Sequence, residues 1–529
     1  MFKNEVAEFI YKRTYSRWLE EERRREDWPE TIERFIGFIT TQRPEIPEKT
    51  IKKMRKYMLE FAVMPSMRFL WAAGPAAEFD NTCIYNCAFA KINSIEAFAE
   101  CLYILMCGTG FGFSVEQEEV VKLPEVPEIK SGALLPKVVI EDSKRGWADS
   151  VRILMESLYD GQNLHFDYSE IRPEGARLHT MGGRASGPNP LIKLHDFIRE
   201  SMHNSQGRKL TTLEAHDICN QIAEIVVVGG VRRSSQISLS DLDDIDMRQA
   251  KEWPFPIKRA MANNSAIFRE KPSAAQFLRE WAALALSGTG ERGIFNLQAA
   301  QSRAPSRRYA PKIQGTNPCG EIMLRDMQFC NLSEVVVRES DDLDSLLDKV
   351  ETATWLGVIQ STFTDFPYLR KEWKKNCDVE RLLGVSLTGQ MDNPSILSSE
   401  ALNALKSRVL RISRKASGLL GVNVPTATTC VKPSGTVSQL VDSASGVHPR
   451  FSQYYIRRYR IAARDPLFQL MKKSGIKCNP ENGQTKKNAS TWVVEFPVKS
   501  PDGCITRKDV TALEQLKHYK NLQHNWCEH

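Results

Sequence analysis

Apolar residues near the start of the chain recur at helical spacing. Val6 and Phe9 fall on one face of a helix, because residues three and four apart are neighbours on a helical surface. A second helix is predicted to open at Pro29, since proline suits the first helical position. A third is predicted over residues 53–61. We therefore expect an N-terminal helical region over residues 1–80.

From residue 81 onward, β-branched or aromatic runs alternate with amphipathic stretches. Residues 86–90 are predicted to form a strand, and Ser94 is placed to cap a following helix. The glycines of residues 108–112 are predicted to form the turn that ends this helix. A long helix is expected over residues 212–226. Such alternation favours an α/β architecture with many parallel strands.

Length and composition allow a large buried core. The chain has 529 residues, of which 42% are hydrophobic. This is enough for about two to four domains, or for a single large α/β barrel. The formal net charge of +7 is small for this size. It permits anionic ligands such as nucleotides and does not require nucleic acid, so we expect no nucleic-acid partner.

The sequence predicts a cytoplasmic protein with no membrane partner. No apolar run reaches the roughly 18 residues that a membrane span requires, and the first residues lack the apolar core of a signal peptide. The 12 cysteines fit reduced thiols in a reducing compartment, where a disulfide is transient and catalytic. Their spacing relative to histidine does not match a zinc site, so no bound metal is expected.

The densest chemistry in the chain lies around one cysteine. Asn317, Cys319 and Glu321 alternate along the sequence, and in an extended segment residues two apart share one face. All three side chains could then address one small substrate. Pro318 and Gly320 between them favour a tight exposed loop over a buried strand. The alternative is a turn with a polar face and a core cysteine.

A second candidate site is the turn formed by Pro433, Ser434, Gly435 and Thr436, which precedes a predicted helix. Its free backbone N–H groups and its two hydroxyls could hold phosphate, because a helix N-terminus carries partial positive charge. The alternative is an ordinary turn with a helix cap.

Two glycine loops with arginine, residues 182–188 and 229–235, could also touch nucleotides, since arginine presents a planar fork to phosphate or carbonyl groups. Taken singly, each is more often a surface loop. Arginines and tyrosines mix over residues 454–464, where we expect a solvated strand face, with a nucleic-acid patch as the alternative. The candidate residues in the two loops are Gly183, Ser186, Gly187, Gly230, Arg232 and Arg233.

Together these motifs resemble the ribonucleotide reductases, and within that family the adenosylcobalamin-dependent class II enzymes of the ribonucleoside-triphosphate type. An Arg-Thr-Tyr-Ser-Arg sequence near the start, the segment 171–176 and the two glycine loops also match, so the resemblance covers essentially the whole chain. Its most specific parts are Asn-Pro-Cys-Gly-Glu-Ile at 317–322, Cys-Asn-Leu at 330–332, Asn-Cys at 86–87 and Pro-Ser-Gly-Thr at 433–436.

The resemblance implies a ten-stranded α/β barrel of two five-stranded halves, with a finger loop threading its centre. Residues 81–529 would form this barrel, and residues 1–80 the helical region before it. The Asn-Pro-Cys-Gly-Glu and Arg-Thr-Tyr-Ser-Arg motifs favour adenosylcobalamin over a metal-radical subunit or a glycyl radical. The resemblance also implies a ribonucleotide substrate, a deoxynucleotide effector and a thioredoxin-like reductant.

A role for each residue of the cysteine loop is implied as well. Cys319 would carry a thiyl radical that takes the 3′-hydrogen of the ribose, Glu321 would accept the proton of the 3′-hydroxyl, and Asn317 would hold that hydroxyl. Cys87 and Cys330 would be the reducing pair and would end as a disulfide, which requires Cα atoms about 4.5 to 6.8 Å apart. Because a base must be ionised, we expect polar neighbours around Glu321 and incomplete burial.

Further assignments follow from the resemblance alone. Residues 433–436 would bind the substrate phosphates, and the loop at 229–235 would relay the identity of the effector to the base pocket. Asn93 and Ser94 lie where the family often begins its effector-binding helix. The short segment 115–145 leaves little room for the insertion that imitates a dimer partner in some monomeric relatives. Monomer and dimer both stay open.

The end of the sequence departs from the family. Relatives continue with a last strand and with a tail whose two cysteines receive electrons from thioredoxin. We therefore expect an incomplete barrel with an exposed edge, and a separate C-terminal fragment as a partner if the gene is split. The alternative function is a nucleotide-binding fragment or subunit of a split reductase, without the chemistry.

Overall fold

The computed structural model describes residues 2–130, 137–176, 184–228, 235–463 and 465–529, which form a mixed α/β molecule. Four of the candidate residues lie outside the described residues. They are Gly183, Gly230, Arg232 and Arg233.

Residues 2–80 are mainly helical. The helix predicted at Pro29 begins at a capping box of Asp27 and Glu30, with the proline in its first turn. Before it, Tyr11–Tyr15 forms a π-helical turn. The elements are α1 (Glu5–Ile10), β1 (Trp18–Leu19), β2 (Arg24–Arg25), α2 (Trp28–Gln42), α3 (Glu48–Leu59), β3 (Val63–Pro65), α4 (Met67–Ala72) and α5 (Pro75–Phe79).

Residues 87–302 alternate between strands and helices, as the sequence predicts. The elements are β4 (Cys87–Lys91), α6 (Ile95–Met106), β5 (Gly110–Ser114), α7 (Gln117–Val120), β6 (Val138–Val139), α8 (Lys144–Tyr159), β7 (Phe166–Asp167), α9 (Asn189–Asn204), α10 (Thr212–Val228), β8 (Gln236–Asp241), α11 (Ile245–Gln249), β9 (Ala262–Phe268), α12 (Ala274–Leu286), β10 (Gly293–Asn296) and α13 (Leu297–Ser302).

Five of these strands lie side by side in the order β4, β5, β8, β9 and β10, and each neighbouring pair is parallel. Parallel strands need crossover connections, and the helices between them supply these. The α/β architecture with parallel strands predicted from the sequence is thereby confirmed.

The next part of the chain forms a short hairpin and then a bent strand that joins two sheets. The hairpin strands are β11 (Gly315–Thr316) and β12 (Met323–Leu324). After them, β13 (Gln328–Phe329) pairs antiparallel with β4, while β14 (Ser333–Val336) pairs with β15 (Val385–Thr388) and with β3. The helices of this part are α14 (Leu343–Ser361), α15 (Lys371–Glu380), α16 (Ser399–Leu419) and α17 (Gly435–Leu440).

The last part carries an antiparallel sheet of three strands. In its first strand nearly every second residue is exposed, so the solvated strand face predicted for this region is confirmed over the described residues. The elements are β16 (Tyr454–Ala462), α18 (Pro466–Lys473), β17 (Cys478–Pro480), β18 (Thr491–Lys499) and α19 (Ala512–Asn525).

Two apolar clusters support this arrangement. The larger one joins the N-terminal helices to the outer helices of the sheets. The smaller one packs around the β11–β12 hairpin and includes Cys87, Ile322, Leu324, Cys330 and Cys430. No sheet among the described residues is detected as closed, so the ten-stranded barrel stays a prediction. Among the described helices, none combines the length and the apolar character needed to cross a membrane.

Candidate functional site

The cysteine loop is the tip of the β11–β12 hairpin. The N–H of Asn317 donates to the carbonyl of Ile322 (3.2 Å), and the N–H of Gly320 donates to the carbonyl of Asn317 (2.9 Å). Gly320 has a φ of 81°, which favours glycine. The predicted tight loop is confirmed. The extended conformation assumed for these residues is wrong, because they form a turn that buries Asn317 and Glu321 and leaves Cys319 exposed. That all three side chains address one substrate stays a prediction.

A hydrogen bond couples the amide and the carboxylate of the loop. Nδ2 of Asn317 donates to Oε2 of Glu321 at 2.7 Å, while Oδ1 of Asn317 accepts from the N–H of Ile322 at 3.0 Å. The predicted polar neighbour of Glu321 is therefore present. Incomplete burial is wrong: Glu321 is only 9% exposed, because the hairpin is enclosed by the sheets. This burial raises the pKa of Glu321, against the lowering effect of the Asn317 hydrogen bond.

Cys87 and Cys330 lie opposite each other on adjacent strands. The antiparallel pairing of β13 and β4 sets Phe329 opposite Ala88, so Cys330, one residue later, lies opposite Cys87, one residue earlier. The N–H of Cys330 donates to the carbonyl of Cys87 at 2.8 Å. Opposed residues of an antiparallel pair have Cα atoms about 4.5 to 5.5 Å apart, which is inside the range that a disulfide requires.

The Cys87 thiol also meets the tip of the hairpin. It forms hydrogen-bonding contacts with the side chains of both Cys319 and Cys330. Contact with Cys319 lowers the pKa of Cys87, but contact with Cys330 and burial raise it well above its usual value, so the thiol stays protonated. All 12 cysteines lie among the described residues, and none of them forms a disulfide. The structure thus brings three reduced sulfur atoms together at one point.

Two glycines of β5 make room for the hairpin. The turn predicted at residues 108–112 is wrong in its second half, because Gly110 and Gly112 lie inside this strand. A Cβ atom on Gly112 would lie 2.3 Å from the carbonyl oxygen of Thr316, and one on Gly110 would lie 3.3 Å from Sγ of Cys87. Glycine inside a strand marks a close approach of another chain segment. The alternation of glycine with phenylalanine was the signal in the sequence.

A buried charge cluster anchors the base of the hairpin. Arg308 and Arg325 each lie 2.9 Å from the carboxylate of Glu380 in α15. Arg308 also donates to the carbonyl of Met323 in β12, at 2.8 Å, and Gln328 donates to Glu380 at 2.9 Å. Breaking a buried pair leaves an uncompensated charge, so this cluster holds the hairpin in one position.

The turn at 433–436 lies against β15. The hydroxyl of Ser434 donates to that of Thr388 at 2.8 Å, and Ser434 has the unusual φ of 63°. The hydroxyls of Thr436 and Tyr15 are 3.4 Å apart. The predicted helix follows, since α17 begins at the third residue of the turn. The structure therefore places this turn, in which Pro433, Gly435 and Thr436 are exposed and Ser434 is buried, beside the sheet that carries β14.

Asn93 and Ser94 are both engaged with other side chains. Nδ2 of Asn93 donates to Oε2 of Glu119 at 3.0 Å. Ser94 is the N-cap residue of α6, but its side chain forms no capping hydrogen bond to the helix backbone; its hydroxyl accepts from Arg370 at 3.3 Å. The predicted capping position is confirmed, while the predicted capping bond is not formed.

The glycine loops are only partly described. Ser186 and Gly187 are described, and no hydrogen bond between described residues joins either of them to the hairpin. The second loop lies outside the described residues except for its last residue, Ser235. The carbonyl of Ser235 accepts from the N–H of Phe111 in β5 at 2.9 Å. The residues after this loop form β8, whose neighbour β5 lies beside the strand that carries Cys87.

Two family models match the chain. One is described as the ribonucleotide reductase alpha domain and matches residues 1–75. The other is described as the insertion domain of B12-dependent ribonucleotide reductase and matches residues 135–202. The expectation that residues 115–145 leave little room for an insertion is therefore wrong. The matching segment begins inside residues 115–145 and continues through α8 and β7 into α9, so the insertion lies mostly after the segment considered in the sequence.

Curated relatives match over most of their length. The adenosylcobalamin-dependent ribonucleoside-triphosphate reductase of Levilactobacillus brevis is 28% identical in an alignment that, gaps included, is 641 positions long and covers 99% of this chain and 83% of that relative. The reductase of the same name from Lactobacillus acidophilus is 29% identical and covers 94% of this chain and 80% of its own length.

Solved structures show the same likeness. A crystal structure of a B12-dependent (class II) ribonucleotide reductase matches with a TM-score of 0.82 and 25% identity, covering 98% of this chain and 85% of the other. The alpha subunit of the class Id ribonucleotide reductase of Actinobacillus ureae matches with a TM-score of 0.54 and 14% identity, so it shares the fold alone.

Proposed function

The chain belongs to the adenosylcobalamin-dependent ribonucleotide reductases, and we propose that it reduces ribonucleoside triphosphates to 2′-deoxyribonucleotides by thiyl-radical chemistry. The observation that carries this proposal is the meeting of Cys87, Cys319 and Cys330 at the hairpin tip. One ribonucleotide and two thiols give one deoxyribonucleotide, one water and one disulfide, so atoms and electrons balance. The alternative of a nucleotide-binding fragment without chemistry leaves this cluster of thiols unexplained.

Each residue of the loop takes a role that its surroundings allow. The Cys319 sulfur, as a radical, removes the 3′-hydrogen of the ribose and later returns it. Glu321 accepts the proton of the 3′-hydroxyl, and Asn317 positions both the hydroxyl and the carboxylate through its amide. Cys87 and Cys330 protonate the departing 2′-hydroxyl and supply two electrons. Burial of Asn317, Glu321 and the reducing pair keeps water from the groups that act once the radical has formed.

Adenosylcobalamin fits the exposure of the three thiols. Cys319 is exposed, whereas Cys87 and Cys330 are buried, so Cys319 is the thiol that a bound cofactor could reach. When bound, adenosylcobalamin supplies the organic radical chemistry that the side chains lack. The residues of the chain hold the sulfur at the turn and keep the reducing pair covered behind it.

The finer architecture and the partners belong to the same proposal. The five parallel strands β4, β5, β8, β9 and β10 would form one half of the family's barrel, within residues 81–529. The sheet of β14 and β15 would form part of the other half. Residues 433–436 would bind the substrate phosphates through backbone N–H groups and hydroxyls. Asn93, Ser94, Ser186 and Gly187 would serve a deoxynucleotide effector, and a thioredoxin-like cytoplasmic reductant would regenerate the thiols.

The test is the variant Cys319→Ala, assayed anaerobically with adenosylcobalamin, a ribonucleoside triphosphate and a small dithiol. We expect wild-type protein to form deoxynucleotide and, without the dithiol, to lose two free thiols for each nucleotide reduced. Cys319→Ala should form no product and lose no thiol, because the radical has no site. Cys478→Ala, a partly buried cysteine in β17, is the matched control and should behave as wild type. Turnover by Cys319→Ala would refute the proposal.

A further inference from the structure

A buried ion pair lies between the cysteine loop and the 433–436 turn. Nζ of Lys432 is 3.1 Å from Oε2 of Glu334, and the two side chains are 8% and 0% exposed. Lys432 directly precedes the turn, and Glu334 lies in β14, four residues after Cys330. The pair therefore links the two segments that the proposed reaction uses.

The sheet holds both partners in place. Glu334 lies opposite Ser386 in the register of β14 and β15. The hydroxyl of the same Ser386 accepts from the backbone N–H of Lys432 at 3.0 Å. The ion pair is thus set by the β14–β15 sheet and by a side-chain anchor, unlike a mobile surface pair.

Glu334 differs from a carboxylate with a purely structural role. Apart from the ion pair with Lys432, neither of its side-chain oxygens has a hydrogen-bond partner among the described residues. Glu380, which anchors the hairpin, instead accepts hydrogen bonds from Arg308 and Gln328 on its two oxygens. A buried carboxylate without hydrogen bonds is costly and calls for an explanation from function.

The hairpin that carries Glu321 packs against the same sheet as the ion pair. A Cβ atom on Gly384, two residues before Ser386, would lie 2.8 Å from Cδ1 of Ile322, the residue after Glu321. Burial raises the pKa of Glu321 most, the hydrogen bond from Asn317 lowers it, Lys432 lowers it and Glu334 raises it. The other titratable groups around Glu321 are the thiols of Cys87 and Cys430, together with Cys319 on the same hairpin. Tyr15, whose hydroxyl lies 3.4 Å from that of Thr436, is a further titratable group near the turn; burial raises its pKa, so its hydroxyl stays neutral.

We propose that Lys432 and Glu334 are positioning residues that set the charge on Glu321, and that this is why the pair is kept without other hydrogen bonds. The inference rests on the proposed role of Glu321 as the base. A base works best when its pKa lies near the operating pH, and two neighbouring carboxylates with one cation provide that control. The negative charge of Glu334 offsets the positive charge of Lys432. Lys432 therefore does not stabilise the anionic form of Glu321 so strongly that Glu321 becomes too weak a base.

The test is the pH dependence of turnover in two variants with opposite expectations. Glu334→Gln leaves Lys432 with Glu321 as its nearest anion, so the acid limb of kcat should move to lower pH, by about one unit. Lys432→Gln removes the cation that lowers the pKa of Glu321, so the limb should move to higher pH by about as much. Lys432→Arg keeps the charge and should keep the wild-type midpoint.

Glu280→Gln is the matched control. Glu280 is a buried carboxylate in α12, paired with Arg292 at 3.0 Å beside the edge strand β10. Its loss should lower stability and leave the midpoint of the acid limb unchanged. A shift in Glu280→Gln equal to that in Glu334→Gln would overturn the proposal, as would equal midpoints or shifts of the same sign in Glu334→Gln and Lys432→Gln.

An equilibrium measurement covers variants that fold but turn over too slowly. The infrared band of the protonated Glu321 carboxyl is first assigned as the band that is lost in Glu321→Gln. Its intensity is then followed against pH in wild type, Glu334→Gln and Lys432→Gln. The same opposite shifts are expected, and their absence would overturn the inference. If wild-type protein forms no deoxynucleotide, the proposed function fails, whereas normal turnover with an unmoved carboxyl titration refutes only the role of the ion pair.

Discussion

Two buried carboxylates, Glu321 and Glu119, have pKa values displaced in opposite directions because their neighbours differ. Glu321 has one amide donor, and burial raises its pKa. Burial acts in the same sense on Glu119, but hydrogen bonds from Lys122, Lys91 and Asn93 prevail and lower its pKa to about 2. The two lysines beside Glu119, which Glu321 lacks as hydrogen-bond donors, account for its lowered pKa.

Glu119 should therefore stabilise the fold in a pH-dependent way. Its folded pKa of about 2 lies below the ordinary 4.5, so the unfolded chain binds the proton more tightly. The contribution is complete above the unfolded value and is lost as pH falls through the folded one. We expect the gap in unfolding free energy between wild type and Glu119→Gln to be larger at about pH 7 than at about pH 3, measured by urea titration.

Glu78→Gln controls for the loss of a surface carboxylate, since Glu78 is exposed in α5. A gap between wild type and Glu119→Gln that stays constant across this pH range would contradict the assignment of the ion pairs to the folded state.

At the scale of elements, β5 shows how one strand is shaped by another that crosses it. Gly110 and Gly112 have no side chain on the face that receives the hairpin, and Gly315 in β11 is equally tight against the ring of Phe89. Phe111 and Phe113, between and beyond the glycines, are fully buried on the opposite face. The strand is therefore smooth on one face and bulky on the other.

Gly112→Ala should displace the hairpin. The new Cβ would lie 2.3 Å from the carbonyl oxygen of Thr316. This oxygen belongs to the backbone of the hairpin, so it cannot move aside as the end of a flexible side chain could. We expect a loss of about 1–3 kcal/mol of stability from overpacking, with a larger proportional loss of turnover, because a small misplacement of Cys319 is costly. Denaturant unfolding and the reductase assay measure the two effects.

Gly418→Ala is the control for this substitution. Gly418 lies in α16, and no atom lies within 4 Å of a Cβ built there. Alanine should be neutral or stabilise the protein by about 0.5–1 kcal/mol, since glycine weakens a helix interior. Equal behaviour of the two variants would mean that β5 tolerates a side chain and that the hairpin is free to move.

At the scale of the whole molecule, one bent segment joins the two sheets. β13 pairs with β4. After three intervening residues the chain continues as β14, which pairs with β15. Cys330 lies at the bend and Glu334 just beyond it, so the reducing pair and the buried ion pair are held by the junction. Beyond β15, Thr429 bridges to Val385, and Glu528 pairs with Thr429 in turn.

Glu528→Ala should loosen this edge of the second sheet. The carboxylate accepts from the N–H and the hydroxyl of Thr428, at 2.9 and 2.7 Å, and pairs with Arg307. Losing these bonds should cost about 1–3 kcal/mol. Amide hydrogen exchange of residues 428–430 should speed up while that of β4 does not.

Glu33→Ala is the comparison, because Glu33 is 54% exposed in its pair with Arg55. Exposed pairs contribute about 0–1 kcal/mol, so little change is expected. Unchanged exchange at 428–430 in Glu528→Ala would show that the pairing with Glu528 does not protect this strand.

Local sequence patterns were sufficient for the features that depend on near neighbours. The helix opening at Pro29, the glycine turn at Gly320 and the helix after the 433–436 turn all formed where predicted. Capping and turn preferences act over about four residues, so a single sequence contains the information they need. The wrong turn at residues 108–112 arose because glycine also serves close approach, which no local pattern distinguishes.

The sequence by itself determined which residues can carry the chemistry: the three thiols, the carboxylate and the amide were all identifiable from motif and resemblance. Only the tertiary structure decided that Cys330 lies opposite Cys87, that Glu321 is buried and that Glu334 pairs with Lys432. These are relations between segments distant along the chain. Their distances depend on sheet register and on packing against the hairpin, which sum contacts over the whole fold and leave no signature within a short window.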